Sequence, residues 1–302
     1  MSEAATHADA AETFQAVRPA LIGLGYRMTG SWATAEDIAQ DVYLRWQAAD
    51  RATIALPRAW LMKAAGRLAL DHLKSARVRR EDYVGPWLPE PALDSEDPPQ
   101  EAAWARTETL SLAFMLTLER LSPPERAIFI LHDLFDTPFD ELAGLLDRTD
   151  AACRQIAVRA RAKLEGHRPP HPVPPAESDR LTRAFFAATQ TGDEAGLRRL
   201  LTSDVVLHTD GGGIRPAALN LIHGGDKAAR MFASLARKRA GAERSLIHTG
   251  LINGEPGYVT REPDGLPQAT VLTITEGQIS AVYIIRNPAK LGAIASQLGL
   301  NL

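Results

Sequence analysis

Four cations and an amide fall within one short stretch: Arg154, Gln155, Arg159, Arg161 and Lys163, between residues 150 and 164. Arginine can bond guanine through two parallel N–H groups, and glutamine can do the same for adenine. Arg154 and Gln155, one turn into a helix, are placed to reach base edges. Arg159, Arg161 and Lys163 lie further along and suit phosphates. Gln155 reads equally well as an ordinary surface residue. A second cationic set, Arg58, Lys63, Arg67 and Lys74, runs along residues 57–80, where phosphate neutralisation gives affinity without sequence information and a steep salt dependence. A third constellation suggests proton transfer: His208, Asp210 and His223 can pair a carboxylate with an imidazole of displaced pKa. No motif fixes such a pair, so no catalytic residue, metal or cofactor is expected.

The elements that must position the first set are two short helices. Thr137 reads as a hydroxyl N-cap with Pro138 at the first helical position, and Asp140, three residues on, is close to a capping box. Leu142, Leu145 and Leu146 form the apolar stripe. A break at Asp147–Arg148 precedes Thr149, which can cap a second helix with Asp150 in its first turn. Cys153, Ile156, Ala157, Ala160 and Leu164 then recur at helical spacing. The pattern describes either a helix-turn-helix whose second helix enters a major groove or a plain helical hairpin with a solvated basic face.

Hydrophobic content of 45% and charged content of 24% are ordinary for a globular protein, and 302 residues suffice for two or three domains. The net charge of −3 hides strong segregation. Residues 51–80 carry Arg51, Arg58, Lys63, Arg67, Lys74, Arg77, Arg79 and Arg80 against Asp71 alone. Residues 81–108 carry Glu81, Asp82, Glu90, Asp94, Glu96, Asp97, Glu101 and Glu108 against Arg106. A basic block followed by an acidic tether points to partners. The single cysteine, Cys153, excludes an internal disulfide and a cysteine-based zinc site, and its place on an apolar face favours a packed small hydrophobe over a redox sensor. No signal peptide and no apolar run of membrane-spanning length is read, and a reducing cytoplasm fits.

Periodicity predicts a helix over 12–30. A second begins at Thr34 and buries Ile38, Val42 and Trp46 while Asp37, Gln40, Asp41 and Arg45 face outward. A third runs from Pro57 to the end of the basic block. Trp60 sits there either as core with Ala64 and Leu68 or as an aromatic platform for an unstacked base. Residues 81–105 read as an acidic, proline-rich linker in which Trp87, Leu88 and Pro89 are oddly apolar. Two helices broken at Ser122-Pro123-Pro124 lead into the helical hairpin. Residues 167–178 form a second proline-rich linker suited to polyproline II. Beyond it, helices at 179–191, 193–201 and 225–239 mix with strand-like runs at 204–210, 217–223, 245–252, 256–262, 268–276 and 278–286. This is an α+β pattern with a curved sheet on helices.

Read together, these segments resemble a sigma factor of the extracytoplasmic-function type. AEDIAQDVYLRW (35–46) resembles the first sigma domain's grip on the polymerase clamp. LPRAWLMKAAGRLALDHLKSARVRR (56–80) resembles the helix that melts and reads the −10 element. ERLSPPERAIFILHDLFDTPFDELAGLLDRTDAACRQIAVRARAKL (119–164) resembles the second sigma domain, which reads the −35 element. Three further motifs match a subgroup with a C-terminal SnoaL-like domain. They are Trp87-Leu88-Pro89-Glu90-Pro91, Asp210-Gly211-Gly212-Gly213, and Asn287-Pro288-Ala289-Lys290-Leu291. Two departures stand out: Ile214 where a lysine usually continues the glycine motif, and Gly66 where these helices often carry asparagine.

The resemblance implies two all-α sigma domains, the second a helix-turn-helix, followed by an α+β SnoaL-like (NTF2-like) cone. The expected boundaries are 8–80 for sigma region 2, 81–105 for the linker, 106–166 for region 4, 167–178 for the second linker and 179–302 for the cone. It implies a non-enzymatic initiation subunit that binds core RNA polymerase through Asp37, Gln40, Asp41 and Arg45. Arg58, Lys63, Arg67 and Lys74 are expected at the −10 element, and Arg154, Gln155, Arg159 and Arg161 at the −35 element. The three motifs are expected to act between domains, the extension regulating the sigma domains in place of a separate anti-sigma protein. An unidentified small ligand in the cone is compatible with the resemblance, and no membrane partner is implied.

Overall fold

The computed structural model describes residues 2–81, 83–94, 110–165, 173–239, 242 and 244–302. The Arg77, Arg79 and Arg80 side chains, Asp82, Glu96, Asp97, Glu101, Arg106 and Glu108, and the prolines at 169, 170 and 172 lie outside the described parts. Two compact units divide the chain: residues 2–81 and 115–165 form the first, and residues 83–94, 110–114 and those from 173 onward form the second.

In the first unit, α1 (Ser2–Thr29), α2 (Trp32–Ala48) and α3 (Pro57–Glu81) pack as a three-helix group. α2 begins two residues before the expected Thr34, because the Ser31 hydroxyl, not Thr34, is the cap and accepts from the Thr34 N–H at 3.1 Å. Trp46 anchors α2 by donating its indole N–H to the Ala10 carbonyl at 3.0 Å. Trp60 is half-buried, its ring 5.5 Å from that of Trp46.

α4 (Leu112–Leu118), which starts in the second unit, is followed by α5 (Pro123–Ile128), a π-helical turn (Phe129–Leu134), α6 (Phe139–Leu146) and α7 (Asp150–Leu164). The expected cap at Thr137 is displaced: Pro138 is the N-cap of α6. Thr137 instead closes the π-helical turn, donating its N–H to the Leu131 carbonyl and accepting from His132 Nδ1. Thr149 does cap α7, accepting from the Ala152 N–H at 3.2 Å, and Asp147 makes the break in the left-handed region at φ 52°. Gly66 on α3 has a packing role. A Cβ there would meet Leu131 at 3.0 Å and Leu145 at 3.4 Å, so the missing side chain lets α3 approach the helix-turn-helix closely.

The second unit sets α8 (Pro175–Thr191), α9 (Glu194–Leu200) and α10 (Gly225–Lys238) against one face of a six-stranded sheet. Its strands are β1 (Leu201–Asp210), β2 (Ile222–His223), β3 (Ser245–Ile252), β4 (Glu255–Arg261), β5 (Pro267–Thr275) and β6 (Gln278–Ile285), in the order β2-β1-β6-β5-β4-β3. Only β1 and β6 pair in parallel. Irregularities in β1, β3 and the β5–β6 pairing help curve the sheet. Its helix-facing side contributes Val205, Leu207, Tyr258, Leu272, Val282 and Ile284 to a core centred on Phe185 and Phe232. α8 starts at Pro175, so residues 175–178 are helix, not spacer. The run expected at 217–223 shrinks to residues 222–223. The segment before it turns from the glycine motif, with the Ala218 N–H donating to Thr209 Oγ1. A short turn (Pro288–Lys290) and α11 (Gly292–Leu298) end the chain.

Candidate functional site

α7 presents two faces with different uses. Cys153, Ile156, Ala157, Ala160 and Leu164 are buried, and burial pushes the Cys153 thiol pKa up, which makes it a packed hydrophobe. On the outer face Arg154, Gln155, Val158 and Arg159 line one open groove of about 430 Å³. Asp150 bonds the Arg154 guanidinium at 2.7 Å and the Phe139 ring lies 5.5 Å from it, so the arginine is held out from the first turn of the helix. Val158, 63% exposed, escapes sequence reasoning because a lone valine among polar residues carries no pattern. In a major groove its methyls suit a thymine methyl.

Arg161 departs from the expected group. Its guanidinium binds Asp133 at 2.6 Å, and Lys163 binds Glu125 at 2.8 Å, so both tie α7 to the helices beneath it. Burial works to raise the Glu125 pKa, but bonds from Lys163 and Ser122 outweigh it and hold the carboxyl below its usual range. Arg154→Ala is expected to weaken binding to a −35 duplex about tenfold or more and to relax discrimination at one base pair. Arg161→Ala should move affinity little. Equal losses in fluorescence-anisotropy titrations of the two variants would contradict this assignment.

Lys63, Arg67 and Lys74 are exposed and fall on one stripe of α3, four and seven residues apart, whereas Arg58 projects from another side. Arg67 reaches Asp147 only loosely, at 3.9 Å between exposed groups, which leaves it available to phosphates. On α2, Asp37, Gln40, Asp41 and Arg45 are all exposed, and Leu44, 55% exposed, sits among them. An apolar residue inside a polar rim is the composition of a protein-binding patch.

The three subgroup motifs meet around one carboxylate in the second unit. Asp210 is fully buried and accepts from the Tyr83 hydroxyl (2.6 Å), the Leu88 N–H (2.9 Å), the Gly212 N–H (3.0 Å) and Lys290 Nζ (2.6 Å). Lys290 also donates to the Leu88 carbonyl at 2.6 Å and lies 4.3 Å and 4.7 Å from the Trp87 and Tyr83 ring centres. Asn287 donates to the Tyr83 hydroxyl at 2.9 Å and caps the turn that carries Lys290. Gly212 adopts φ 61° against the Asn287 amide, where any Cβ would collide. Leu88, Pro89, Pro91 and Leu291 are buried alongside, while Glu90 and Pro288 are half-buried. Gly211 and Gly213 complete the turn, Gly213 lying against Val84. Ile214 is 68% exposed, and the neighbouring Arg215 is committed to Asp264 at 2.7 Å. Lys290 is therefore the cation that Asp210 uses.

The same unit grips the rest of residues 83–94 and the start of α4. Leu93 bridges to Ile252 and exchanges two bonds with the Gln297 amide, each at 3.0 Å. Asn253 exchanges bonds with Ala92, and Asp94 accepts from the Gly254 N–H at 3.0 Å. Glu255, buried in β4, accepts from Thr273 and from the Leu112 and Ala113 N–H groups that open α4.

Burial lifts the Glu255 pKa to about 7, against the lowering by those bonds. Burial and His223 pull His208 down to about 4. The two act with opposite sign. Between pH 4.5 and 7 the unfolded chain has released the Glu255 proton that the folded chain keeps, so this group's contribution falls as pH rises, by on the order of 3 kcal/mol. Between pH 4 and 6.5 the unfolded chain binds a proton that folded His208 refuses, so its contribution rises. Glu255→Gln should therefore make the melting temperature climb more steeply from pH 4.5 to 6.5 than in the parent. Parallel melting profiles would refute it. His208 faces Tyr283, with ring centres 5.1 Å apart, and Asp210 is enclosed by Lys290, so the two form no acid–base pair.

The first unit thus joins a helix-turn-helix with an outward arginine–glutamine face to a cationic helix and an exposed polar face on α2, and the comparisons place it in the sigma class of transcription initiation factors. Residues 13–79 match Sigma-70 region 2 and residues 111–164 match Sigma-70, region 4. The chain is 38% identical to the ECF RNA polymerase sigma factor SigJ of Mycobacterium tuberculosis over 92% of its own length and 91% of that protein. It is 30% identical to the probable ECF RNA polymerase sigma factor SigI of the same organism, over 97% and 98%. The crystal structure of M. tuberculosis SigJ superposes with a TM-score of 0.73 at 36% identity, covering 94% of this chain and 98% of that one. This chain belongs to the extracytoplasmic-function RNA polymerase sigma factors, with sigma regions 2 and 4 followed by an α+β C-terminal part. It is a non-enzymatic factor, and such factors bind core RNA polymerase and promoter DNA. No helix among the described residues is long and apolar enough to cross a membrane.

Proposed function

We propose that this sigma factor is modulated by its own C-terminal domain, acting on the segment that joins region 2 to region 4. The observation that carries the reading is the Asp210–Lys290 centre, which holds Tyr83 and Leu88 by hydrogen bonds and Trp87 by its ring. Residues 83–94 lie in sequence between the two promoter-reading regions, and Glu255 holds the first N–H groups of α4 further along the same connection. Whatever fixes this connector limits how regions 2 and 4 can be arranged, which is the task otherwise given to a separate anti-sigma protein. On this reading Asp37, Gln40, Asp41 and Arg45 meet the polymerase clamp. Lys63, Arg67 and Lys74, with Arg58 at the periphery, meet the −10 region. Arg154, Gln155 and Arg159 meet the −35 element, and the factor works in the cytoplasm beside polymerase.

The test is transcription in vitro with core polymerase and a −35/−10 template, comparing the full chain with its Trp87→Ala variant. Loosening the connector should change initiation severalfold while leaving affinity for the isolated −35 duplex unaltered. Identical initiation by the two proteins, together with unchanged protease sensitivity of residues 83–94, would remove the proposal.

A further inference from the structure

The helix-facing side of the sheet changes character along its strands. Val205, Leu207, Leu272, Val282 and Ile284 are apolar. Toward the end where β4 and β6 finish and β5 begins, Tyr258 pairs with Thr270 and Thr260 with Gln268, and Glu262 follows two residues later on the same side. Thr260, Glu262, Gln268 and Thr270 are all buried. Burying such a row costs free energy unless each group finds a partner. Their mutual bonds are few: Thr260 donates to Glu262 at 2.9 Å, and Gln268 reaches Thr270 at 3.4 Å.

Three arginines gather at this end. Arg239 closes α10, Arg244 immediately precedes β3, and Arg286 immediately follows β6 on the side of the strand that Ile284 occupies. Arg239 and Arg286 are only partly satisfied. Arg239 donates from Nε to the Leu235 carbonyl, and among the described residues no acceptor meets its terminal nitrogens. Arg244 binds Gln190 and Thr189 through Nε and one terminal nitrogen and lies 5.5 Å from the Phe186 ring. Arg286 donates to the Pro216 carbonyl, while its Nε is buried without a partner among the described residues. The nearby Arg215 is already neutralised by Asp264. Among the described residues Glu262 acts on both Arg239 and Arg286, and Asp264 acts on Arg286 as well. Burial, together with repulsion from neighbouring guanidinium groups, lowers the pKa of Arg239 and of Arg286, with Glu262 opposing the shift in both.

One buried and two half-buried cations, in excess of the carboxylates among the described residues and with N–H groups unfilled on Arg239 and Arg286, favour an anion. We propose that this end of the cone binds a small oxyanion, a carboxylate- or phosphate-bearing molecule, through Arg239, Arg244 and Arg286, with Gln268 and Thr270 as neutral partners. Planar guanidinium forks suit both groups. The inference does not depend on the regulatory reading above, since binding is read without polymerase or DNA.

The experiment is isothermal titration calorimetry of the full-length chain with inorganic phosphate and, separately, acetate, at constant ionic strength. Saturable binding of one anion per chain is expected. Tighter phosphate binding would assign a phosphoryl group and tighter acetate binding a carboxylate, and either order supports the site. Arg239→Gln should weaken the preferred anion about tenfold. Glu262→Gln removes the competing carboxylate and should tighten it severalfold, a change of opposite sign that misfolding cannot imitate. Absence of saturable heat with both anions, or one affinity shared by parent and both variants, would overturn the proposal.

Discussion

Replacing Asp210 with alanine is expected to cost the second unit about 3–5 kcal/mol, because it strands the Lys290 ammonium in a buried setting. The Tyr83 hydroxyl and the Leu88 and Gly212 N–H groups lose their acceptor in the same stroke. Calorimetric melting should show the loss, and residues 83–94 should become accessible to protease well below the parent's transition. The double variant Asp210→Ala/Lys290→Met leaves no lone charge and should recover part of the deficit, so the two changes should be strongly non-additive. A simple sum of the single effects would show that the pair is not the centre of this network.

The second large effect is expected in the first unit, at Arg126. Its side chain is 1% exposed and donates to the Leu118 carbonyl (3.0 Å), the Met28 carbonyl (3.0 Å) and Glu119 (2.9 Å). Those carbonyls belong to the ends of α4 and α1, so one guanidinium ties the region 2 helices to the start of region 4. Arg126→Met keeps much of the volume and removes every donor. A loss of about 3 kcal/mol follows, or on the order of 10 °C in the melting temperature of this unit. The exposed pair between Arg161 and Asp133 is the control: Arg161→Ala should cost no more than about 1 kcal/mol. Indistinguishable melting of Arg126→Met and the parent would disprove the assignment.

Much of this molecule is legible in local patterns, for physical reasons that differ from element to element. α7 could be read because its cap, its apolar stripe and its cations all repeat at helical spacing. β3 to β6 could be read because β-branched and apolar residues gather there in short runs bounded by turn residues. The cap at Thr137 misled because a π-helical turn uses that residue's backbone groups, and nothing local distinguishes such a turn from an ordinary helix end. Sequence spacing also could not show that Asp133, 28 residues away, meets the Arg161 guanidinium.

By itself the amino-acid order determined the class of most elements, the separation of basic and acidic blocks, and the residue types that suit bases and phosphates, since all of these depend on neighbours within a few positions. Only the tertiary structure decided which charges are engaged and which are offered. Asp210 meets Tyr83 across 127 residues and Lys290 across 80. Arg239 and Arg286 come from different elements to face Glu262. Such pairings depend on how distant segments pack, and burial then fixes their strength by removing the water that would otherwise screen them.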